Sequence, residues 1–151
     1  RRHHRADVRE PHHHQRAGGR VPGHHPGGRS RQPDDLVEEN LDPAREQCWI
    51  AELNGEPVGS VFLVRDSDDV ARLRLLLVEP RARGLGLGER LVDECIAFAR
   101  KAGYRKITLW THGVLTAARA IYQKKGFTRV AEWVHDDFGK PEPSESWELV
   151  L

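Results

Sequence analysis

Apolar residues dominate two short segments of the chain, residues 48–53 and 57–64, and polar residues bound both of them. Between the two segments stand Asn54 and Gly55. An Asn-Gly pair flanked by strand-forming runs is a strong signal of a two-residue turn that joins antiparallel strands. The pattern therefore predicts a β-hairpin.

A third apolar segment, residues 70–78, alternates apolar residues with arginines and then becomes apolar on both faces from position 75. Loss of alternation is typical of a strand in the middle of a sheet that is covered on both sides. Residues 86–102 place apolar side chains at helical spacing, with Gly103 in the usual C-terminal position, and residues 105–110 form a fourth strand. This order predicts a right-handed crossover between parallel strands.

The rest of the chain predicts a second helix and two more strands. Thr116 can cap a helix over residues 116–125 that ends at Gly126. Strands follow at residues 127–135 and 147–151, joined by a polar segment. Capping and acidic residues at 34–40 predict a short helix before the hairpin, ended by a turn at 41–43.

The first 33 residues differ in composition from the remainder. They contain 8 Arg, 7 of the 9 His and two acids, and they lack Leu, Ile, Phe, Trp and Tyr. Such a segment cannot bury enough apolar surface to offset the entropy of ordering it. We expect residues 1–33 to be disordered and residues 34–151 to form one domain.

Charge and hydropathy restrict the classes of partner. The formal net charge of +1 gives no strong attraction to nucleic acid or to a membrane surface, and the arginine-rich tail has no aromatic residues to stack on bases. No apolar run approaches the length of a membrane span, and the N-terminus lacks the apolar stretch of a secretory signal. Cys48 and Cys95 are not spaced as metal ligands. We expect a cytoplasmic protein with reduced thiols.

Between the third strand and the long helix, every second residue of a six-residue segment is glycine. The segment is Arg83, Gly84, Leu85, Gly86, Leu87 and Gly88. A pyrophosphate requires converging backbone N–H groups, close approach of the backbone, and preferably a helix N-terminus behind them. Glycines allow the approach, and Arg83 adds positive charge. The segment therefore predicts an anion site.

Two other phosphate-binding loops fit this segment badly. A P-loop needs Gly-Lys-Ser/Thr at the helix start, where this chain has Gly88-Glu89-Arg90. The dinucleotide fingerprint is Gly-x-Gly-x-x-Gly, whereas the spacing in this chain is Gly-x-Gly-x-Gly.

The segment resembles the pyrophosphate motif of the GNAT family of N-acetyltransferases, Arg/Gln-x-x-Gly-x-Gly/Ala, through Arg83, Gly86 and Gly88. Residues 77–80 are similar to the family's strand ending, and residues 118–127 to its Ala-x-x-hydrophobic-Tyr-x-x-x-Gly-Phe motif. The resemblance covers residues 41–151. It implies an α/β (α+β) fold with a mixed, largely antiparallel sheet, a central parallel strand pair and helices on both faces.

The resemblance also implies a function: transfer of the acetyl group of acetyl-CoA to a primary amine by direct attack in a ternary complex, without a metal. Backbone groups of Leu77 and Val78 would bond the pantetheine arm, and Tyr122 would protonate the leaving thiolate. The other cofactor contacts would come from Arg83, Gly84, Leu85, Gly86, Leu87, Gly88, Glu89 and Ala118. The general base stays open among Glu52, Glu79, His112, His135, Asp136 and Asp137.

The chain departs from the family pattern in two places. Leu115 stands where many members carry an Asn that contacts the cofactor. The family's first strand and helix, which help to shape the acceptor pocket, are not recognisable in residues 1–33, so the strand at 48–53 would be a sheet edge prone to self-association.

These departures leave an alternative function, an acyl-CoA-binding or regulatory module that is catalytically weak or inactive. The core also looks like the acetyltransferase half of bacterial proteins that fuse a MarR-type regulator to a GNAT domain. The partner expected from the resemblance is a small-molecule or protein amine, with no membrane and no nucleic acid bound by this domain.

Overall fold

The computed structural model describes residues 6–10, 41–112, 115–135 and 142–151. The predicted turn is present: Asn54 and Gly55 both have positive φ, 53° and 83°, which a tight turn requires and which these two residue types tolerate. The turn joins strand β2 (Gln47–Leu53) to β3 (Glu56–Arg65), and β4 (Val70–Val78) pairs antiparallel with β3.

The predicted crossover is also present. Helix α1 (Leu87–Ala102) connects β4 to β5 (Lys106–His112), and these two strands pair in parallel. Helix α2 (Thr116–Lys124) follows, and then β6 (Thr128–His135) and β7 (Glu142–Val150). With β1 (Ala6–Arg9), the strands form one seven-stranded mixed sheet in the order β1-β2-β3-β4-β5-β7-β6. The predicted α/β (α+β) class, with a mixed, largely antiparallel sheet and a parallel strand pair, is confirmed.

Both described helices pack on the same face of the sheet. Ala71 of β4 pairs with Ile107 of β5, and both are fully buried in the core with α1. Leu109, on the same side of β5, pairs with Trp147 of β7, whose ring contacts Tyr122 of α2. The expectation of helices on both faces is therefore not confirmed within the described residues. No helix in that part of the chain is long and apolar enough to cross a membrane.

The expectation that the first strand is missing was wrong. Ala6–Arg9 forms β1, which pairs antiparallel with residues 50–53 of β2 and covers that part of its edge. Ala6 and Val8 pack against the core, while Arg9 donates a hydrogen bond of 2.6 Å to Glu52. The composition of residues 1–33 gave no sign of this strand, because backbone pairing with the edge of β2, and not a local pattern, stabilises a segment of only four residues. The predicted exposed edge at residues 50–53 is accordingly absent.

The last strand begins earlier than predicted. Residues 142–146 were expected to belong to a polar connection, but they form the first half of β7, which lies between β5 and β6. The polar pattern is misleading because Glu145 is buried as one member of an ion-pair cluster rather than exposed in a loop. The helix predicted at 34–40, most of the segment 1–33, and Asp136 and Asp137 lie outside the described residues.

Candidate functional site

A β-bulge in β4 creates the main irregularity of the sheet. Phe62 pairs with Arg74 and Ser60 with Leu77, so one residue of β3 lies opposite two residues of β4. Leu75, one of those two, has a φ of 56°, a left-handed conformation that is rare for a leucine. The extra residue bends β4 away from its next neighbour.

The bend opens a gap between the two parallel strands. β4 and β5 pair only from Val70 to Arg72, opposite Lys106 to Thr108, although both strands continue for several residues. Beyond Arg72, the backbone groups of β4 that point toward β5 have no strand partner among the described residues. Within residues 76–78, the backbone groups on that side are therefore available to a bound ligand with amides of its own.

Residues 83–86, which we call the glycine loop, lead from this gap to the N-terminus of α1. Gly84 and Gly86 have φ values of 80° and 74°, and a Cβ atom at either position would meet nothing within 4 Å. Both positions favour glycine because of their backbone conformation, not because a side chain would clash with neighbouring atoms. Gly86 caps α1 without a side-chain hydrogen bond. The first amides of the helix therefore point outward with no helical acceptor.

Gly88 has a different reason for being glycine. It lies inside α1 with an ordinary φ, but a Cβ there would come within 3.0 Å of the Cδ1 atom of Ile121 and 3.5 Å of Val78. The absent side chain lets α1, α2 and β4 meet closely at the end of the gap.

A cavity of about 590 Å³ lies where these elements meet, within the size range of small-ligand sites. One end is formed by the glycine loop and the exposed side chain of Arg83, which forms no hydrogen bond or ion pair within the described residues. The other end is apolar and is lined by residues of β4 and α2: Leu76, Leu77, Val78, Leu115, Thr116, Ala117, Ala118 and Ile121. The shape suits a long ligand with an anionic end and a narrow arm.

The structure brings most of the sequence-predicted cofactor residues to this cavity. Its wall includes Leu77, Val78, Arg83, Gly84, Gly86, Leu87, Gly88, Glu89 and Ala118. Leu85 is not part of the wall and is 47% exposed. Sequence reasoning missed Leu76, Ala82, Thr116, Ala117 and Ile121. Ile121 could have been found from its helical spacing to Ala118, whereas Leu76 faces the cavity only because of the bulge.

Glu89 places a negative charge beside the glycine-loop end of the cavity, and two lysines of the α2 C-terminus neutralise it. Lys125 Nζ lies 2.9 Å and Lys124 Nζ 3.1 Å from its carboxylate. Hydrogen bonds from Lys125 and then Lys124 lower the pKa of Glu89 below its ordinary value. These pairs also tie the C-terminus of α2 to the N-terminus of α1.

Tyr122 does not line the cavity. Its ring is 4% exposed and packs against Phe127 and Trp147, at centroid distances of 5.6 and 6.4 Å. Burial, and to a lesser extent the neighbouring Cys95, raises the pKa of Tyr122 well above its ordinary value. The phenol is therefore neutral near pH 7, one helical turn behind the cavity wall at Ala118.

A buried carboxylate fixes the position of α2. Glu145 of β7 is 2% exposed, and its two oxygens lie 2.8 Å from Arg119 Nε on α2 and 2.9 Å from Arg129 Nη1 on β6. Burial by itself raises the pKa of Glu145, but the hydrogen bond from Arg129 and the charge of Arg119 outweigh it, so the pKa lies below its ordinary value. This cluster gave no signal in the sequence.

The candidate general bases differ in their surroundings: two are held in ion pairs, and one is exposed at the end of a strand. Glu52 is held by Arg9, and Glu79 by Arg81 at 2.8 Å. His112 is exposed at the carboxyl end of β5. Asp136, Asp137 and the side chain of His135 lie outside the described residues. Within the described part of the chain, no three His, Cys, Asp or Glu residues form a group that could hold a metal ion.

Comparison with known proteins points in one direction. The sequence model of the acetyltransferase (GNAT) family matches residues 19–127. The chain is 33% identical over 99 residues to N-acetylaspartate synthetase of Danio rerio, covering 65% of this chain and 35% of that protein. It is also 33% identical over 95 residues to mycothiol acetyltransferase of Beutenbergia cavernae, covering 62% of this chain and 31% of that protein. The chain thus spans about a third of the length of these two relatives.

The fold has been seen with a ligand bound. A protein of Bacillus anthracis str. Ames, provisionally assigned as a streptothricin acetyltransferase and solved in complex with acetyl coenzyme A, superposes with a TM-score of 0.66. The two are 23% identical, and the match covers 74% of this chain and 66% of the other. At this identity the similarity establishes the fold alone.

Proposed function

Because this chain belongs to the GNAT acetyltransferase family, we propose that it transfers the acetyl group of acetyl-CoA to a primary amine. The observation that carries the proposal is the cavity between the glycine loop and the β4–β5 gap. It joins an anion site to a row of free backbone groups, the arrangement that a pyrophosphate followed by a pantetheine arm requires.

The proposed cofactor contacts follow the two ends of the cavity. The outward amides at the start of α1, with Arg83 and the backbone of Gly84, Gly86 and Gly88, hold the pyrophosphate. Backbone groups of Leu77 and Val78 bond the amides of the pantetheine arm, and one N–H in the gap polarises the thioester carbonyl. Ala118 and Ile121 form the apolar wall beside the arm.

In the proposed reaction the amine's lone pair attacks the thioester carbonyl carbon within a ternary complex. The C–N bond forms, the C–S bond breaks, and the thiolate of CoA leaves. The amine loses a proton to a base, and the thiolate gains one, so the products are an amide and free CoA. No electron acceptor or metal is needed in this sequence of steps.

Tyr122 is the proposed donor of the proton to the thiolate. The phenol is protonated at neutral pH, as a donor must be, while burial raises its pKa and makes it a weaker acid than an exposed tyrosine. To donate this proton, the Tyr122 hydroxyl must reach the sulfur past Ala118. Removing the hydroxyl therefore tests proton donation while leaving the packing of the ring in place. Leu115 lines the cavity where the family motif places an amide, and it can offer the arm only apolar contact.

One observation favours a second candidate, a CoA-binding module without transfer: Tyr122 packs behind the cavity wall rather than in it. Under that alternative the protein binds CoA as well as the enzyme would, but no amine accelerates release of free CoA.

Calorimetry with CoA and an assay of CoA release across a panel of amines separate the two candidates. We expect CoA to bind and at least one amine to be acetylated, and Tyr122→Phe to lower kcat by about 10²-fold or more with unchanged CoA affinity. Tyr104→Phe is the matched control, because the Tyr104 hydroxyl donates to the Arg45 carbonyl at 2.6 Å and Tyr104 does not line the cavity. CoA binding without turnover of any amine favours the module. Absence of CoA binding refutes both candidates.

A further inference from the structure

The side chains of β4 and β5 beside the gap lie on both faces of the sheet. On the helix side, α1 and α2 cover the gap, and the cavity lies between them. A nucleophile that attacks a thioester held in that cavity therefore approaches from the opposite face. The side chains beside the gap on that face are therefore the candidates for contacting the acceptor.

Strand register identifies these side chains. Arg72 and Arg74 of β4 pair with Val64 and Phe62 of β3, on the side away from α1. The parallel ladder stops at the pair Arg72 and Thr108. Two residues farther on, Arg74 and Trp110 are at the same level on the two strands, so they flank the start of the gap.

An aromatic corner lies on the β5 side. Trp110 is 64% exposed, and its ring meets Trp133 of β6 at a centroid distance of 6.3 Å and an interplanar angle of 84°. The rings meet across β7 because the residues between them, Ser146 beside Trp110 and Ser144 beside Trp133, are small. The Arg72 guanidinium lies 4.3 Å from the centre of the Trp110 ring. Two perpendicular indoles bind an apolar or aromatic group better than a polar one.

A positive charge without a counterion lies on the β4 side. Three arginines of the described segments form no hydrogen bond or ion pair there: Arg74, Arg83 and Arg100. Arg100 is exposed on α1 and Arg83 lines the cavity, whereas Arg74 is half-buried beside the gap. The guanidinium of Arg72 does have a counterion, because its Nη2 lies 3.1 Å from Asp66, but its buried Nε lacks a hydrogen-bond acceptor. Half-burying guanidinium donors without an acceptor costs free energy, and a ligand carboxylate would satisfy them bidentately.

We propose that the acceptor is an amino acid with an aromatic or large apolar side chain. Its carboxylate binds Arg74, its side chain packs in the corner formed by Trp110 and Trp133, and its amine points into the gap. The inference rests on the proposed function, because it places the amine against a thioester held in the cavity.

Three acceptors test the two contacts separately with the whole chain and saturating acetyl-CoA. Phenylalanine carries both recognition groups, phenylalaninamide lacks the carboxylate, and alanine lacks the ring. The amide also has a more acidic ammonium, so each variant is compared with the unaltered protein on the same acceptor.

We expect Arg74→Gln to raise KM about tenfold for phenylalanine and alanine, with KM for phenylalaninamide changed by less than about twofold. Trp133→Ala is expected to raise KM for phenylalanine and phenylalaninamide but not for alanine. Arg74→Lys should retain part of the carboxylate preference. Arg100→Gln, which removes an exposed arginine from α1, should change none of the three.

Calorimetric CoA affinity of every variant reports whether the cavity is intact. Equal effects of Arg74→Gln on phenylalanine and phenylalaninamide would overturn the inference. So would a protein that binds acetyl-CoA but neither binds nor acetylates phenylalanine, and that result would leave the cofactor half of the proposed function standing. Failure to bind CoA at all would refute the proposed function, and this inference with it.

Discussion

Gly59 lies so close to the carbonyl of Leu77 that a Cβ atom at Gly59 would come within 2.7 Å of that oxygen. Neighbouring strands β3 and β4 are in contact at this point, directly after the bulge at Leu75. A side chain at position 59 would therefore displace the backbone that we propose binds the pantetheine arm.

Gly59→Ala is expected to weaken CoA binding by about tenfold or more, since the contacting atom belongs to the backbone and cannot rotate away. Gly55→Ala is the matched control: its φ of 83° makes alanine costly by about 1–2 kcal/mol of stability, but a Cβ there meets nothing within 4 Å. Calorimetry with CoA and thermal unfolding of both variants check this. Equal CoA affinities in the two variants would contradict the role of the Leu77 backbone.

Gly88→Ala separates cavity shape from helix stability. Alanine favours a helix interior over glycine by about 1 kcal/mol, but here its methyl group would come within 3.0 Å of Ile121 Cδ1. We expect lower CoA affinity with little loss of unfolding free energy. Ile121→Val removes that Cδ1 atom, so the double variant should recover most of the affinity. If the second substitution restores nothing, the contact with Ile121 is not the cause.

Arg83→Gln should lower CoA affinity only by removing the contact between the Arg83 side chain and the pyrophosphate. Arg83 lines the cavity at its glycine-loop end, where we propose that the pyrophosphate binds. Its contribution is expected to shrink as salt is added. Pantetheine, which lacks the phosphates, should bind the variant and the unaltered protein equally. Titrations of both ligands at low and high salt check this, and an equal loss for pantetheine would place Arg83 elsewhere in the site.

Glu145→Gln tests the buried ion-pair cluster through pH. The folded protein lowers the pKa of Glu145 below its ordinary value of 4.5, so the carboxylate contributes stability above that value, and the contribution is lost as pH falls through the folded pKa. The variant should lose roughly 1–3 kcal/mol of unfolding free energy at pH 7. Its stability should also depend less on pH below about 4.5 than that of the unaltered protein.

Glu132→Gln is the control for that measurement. Glu132 also faces Arg129, at 3.7 Å, but it is largely exposed. Its removal should cost no more than about 1 kcal/mol, because exposed pairs contribute little. Denaturant unfolding of both variants from pH 3 to pH 7 gives the comparison, and equal losses would show that burial of Glu145 does not matter.

Several expectations stay predictions: the cytoplasmic location, the absence of a metal, self-association, and an accompanying MarR-type regulator. The structure does alter the basis for self-association, because β1 covers the β2 edge that was expected to be free at residues 50–53.

The sequence by itself determined the elements whose signals are local. Asn54-Gly55 specifies its turn, Gly103 ends α1, and Gly84 and Gly86 supply the positive φ values of the loop before α1, because backbone conformation at these positions depends on the residues themselves. Only the tertiary structure decided the features that need a distant partner. Ala6–Arg9 becomes a strand beside β2, Glu145 is buried because Arg119 and Arg129 reach it, and Leu75 adopts a positive φ inside the sheet. The strand and the buried carboxylate have partners remote in sequence, and the φ of Leu75 accompanies the register shift against β3, so no local pattern could carry the information.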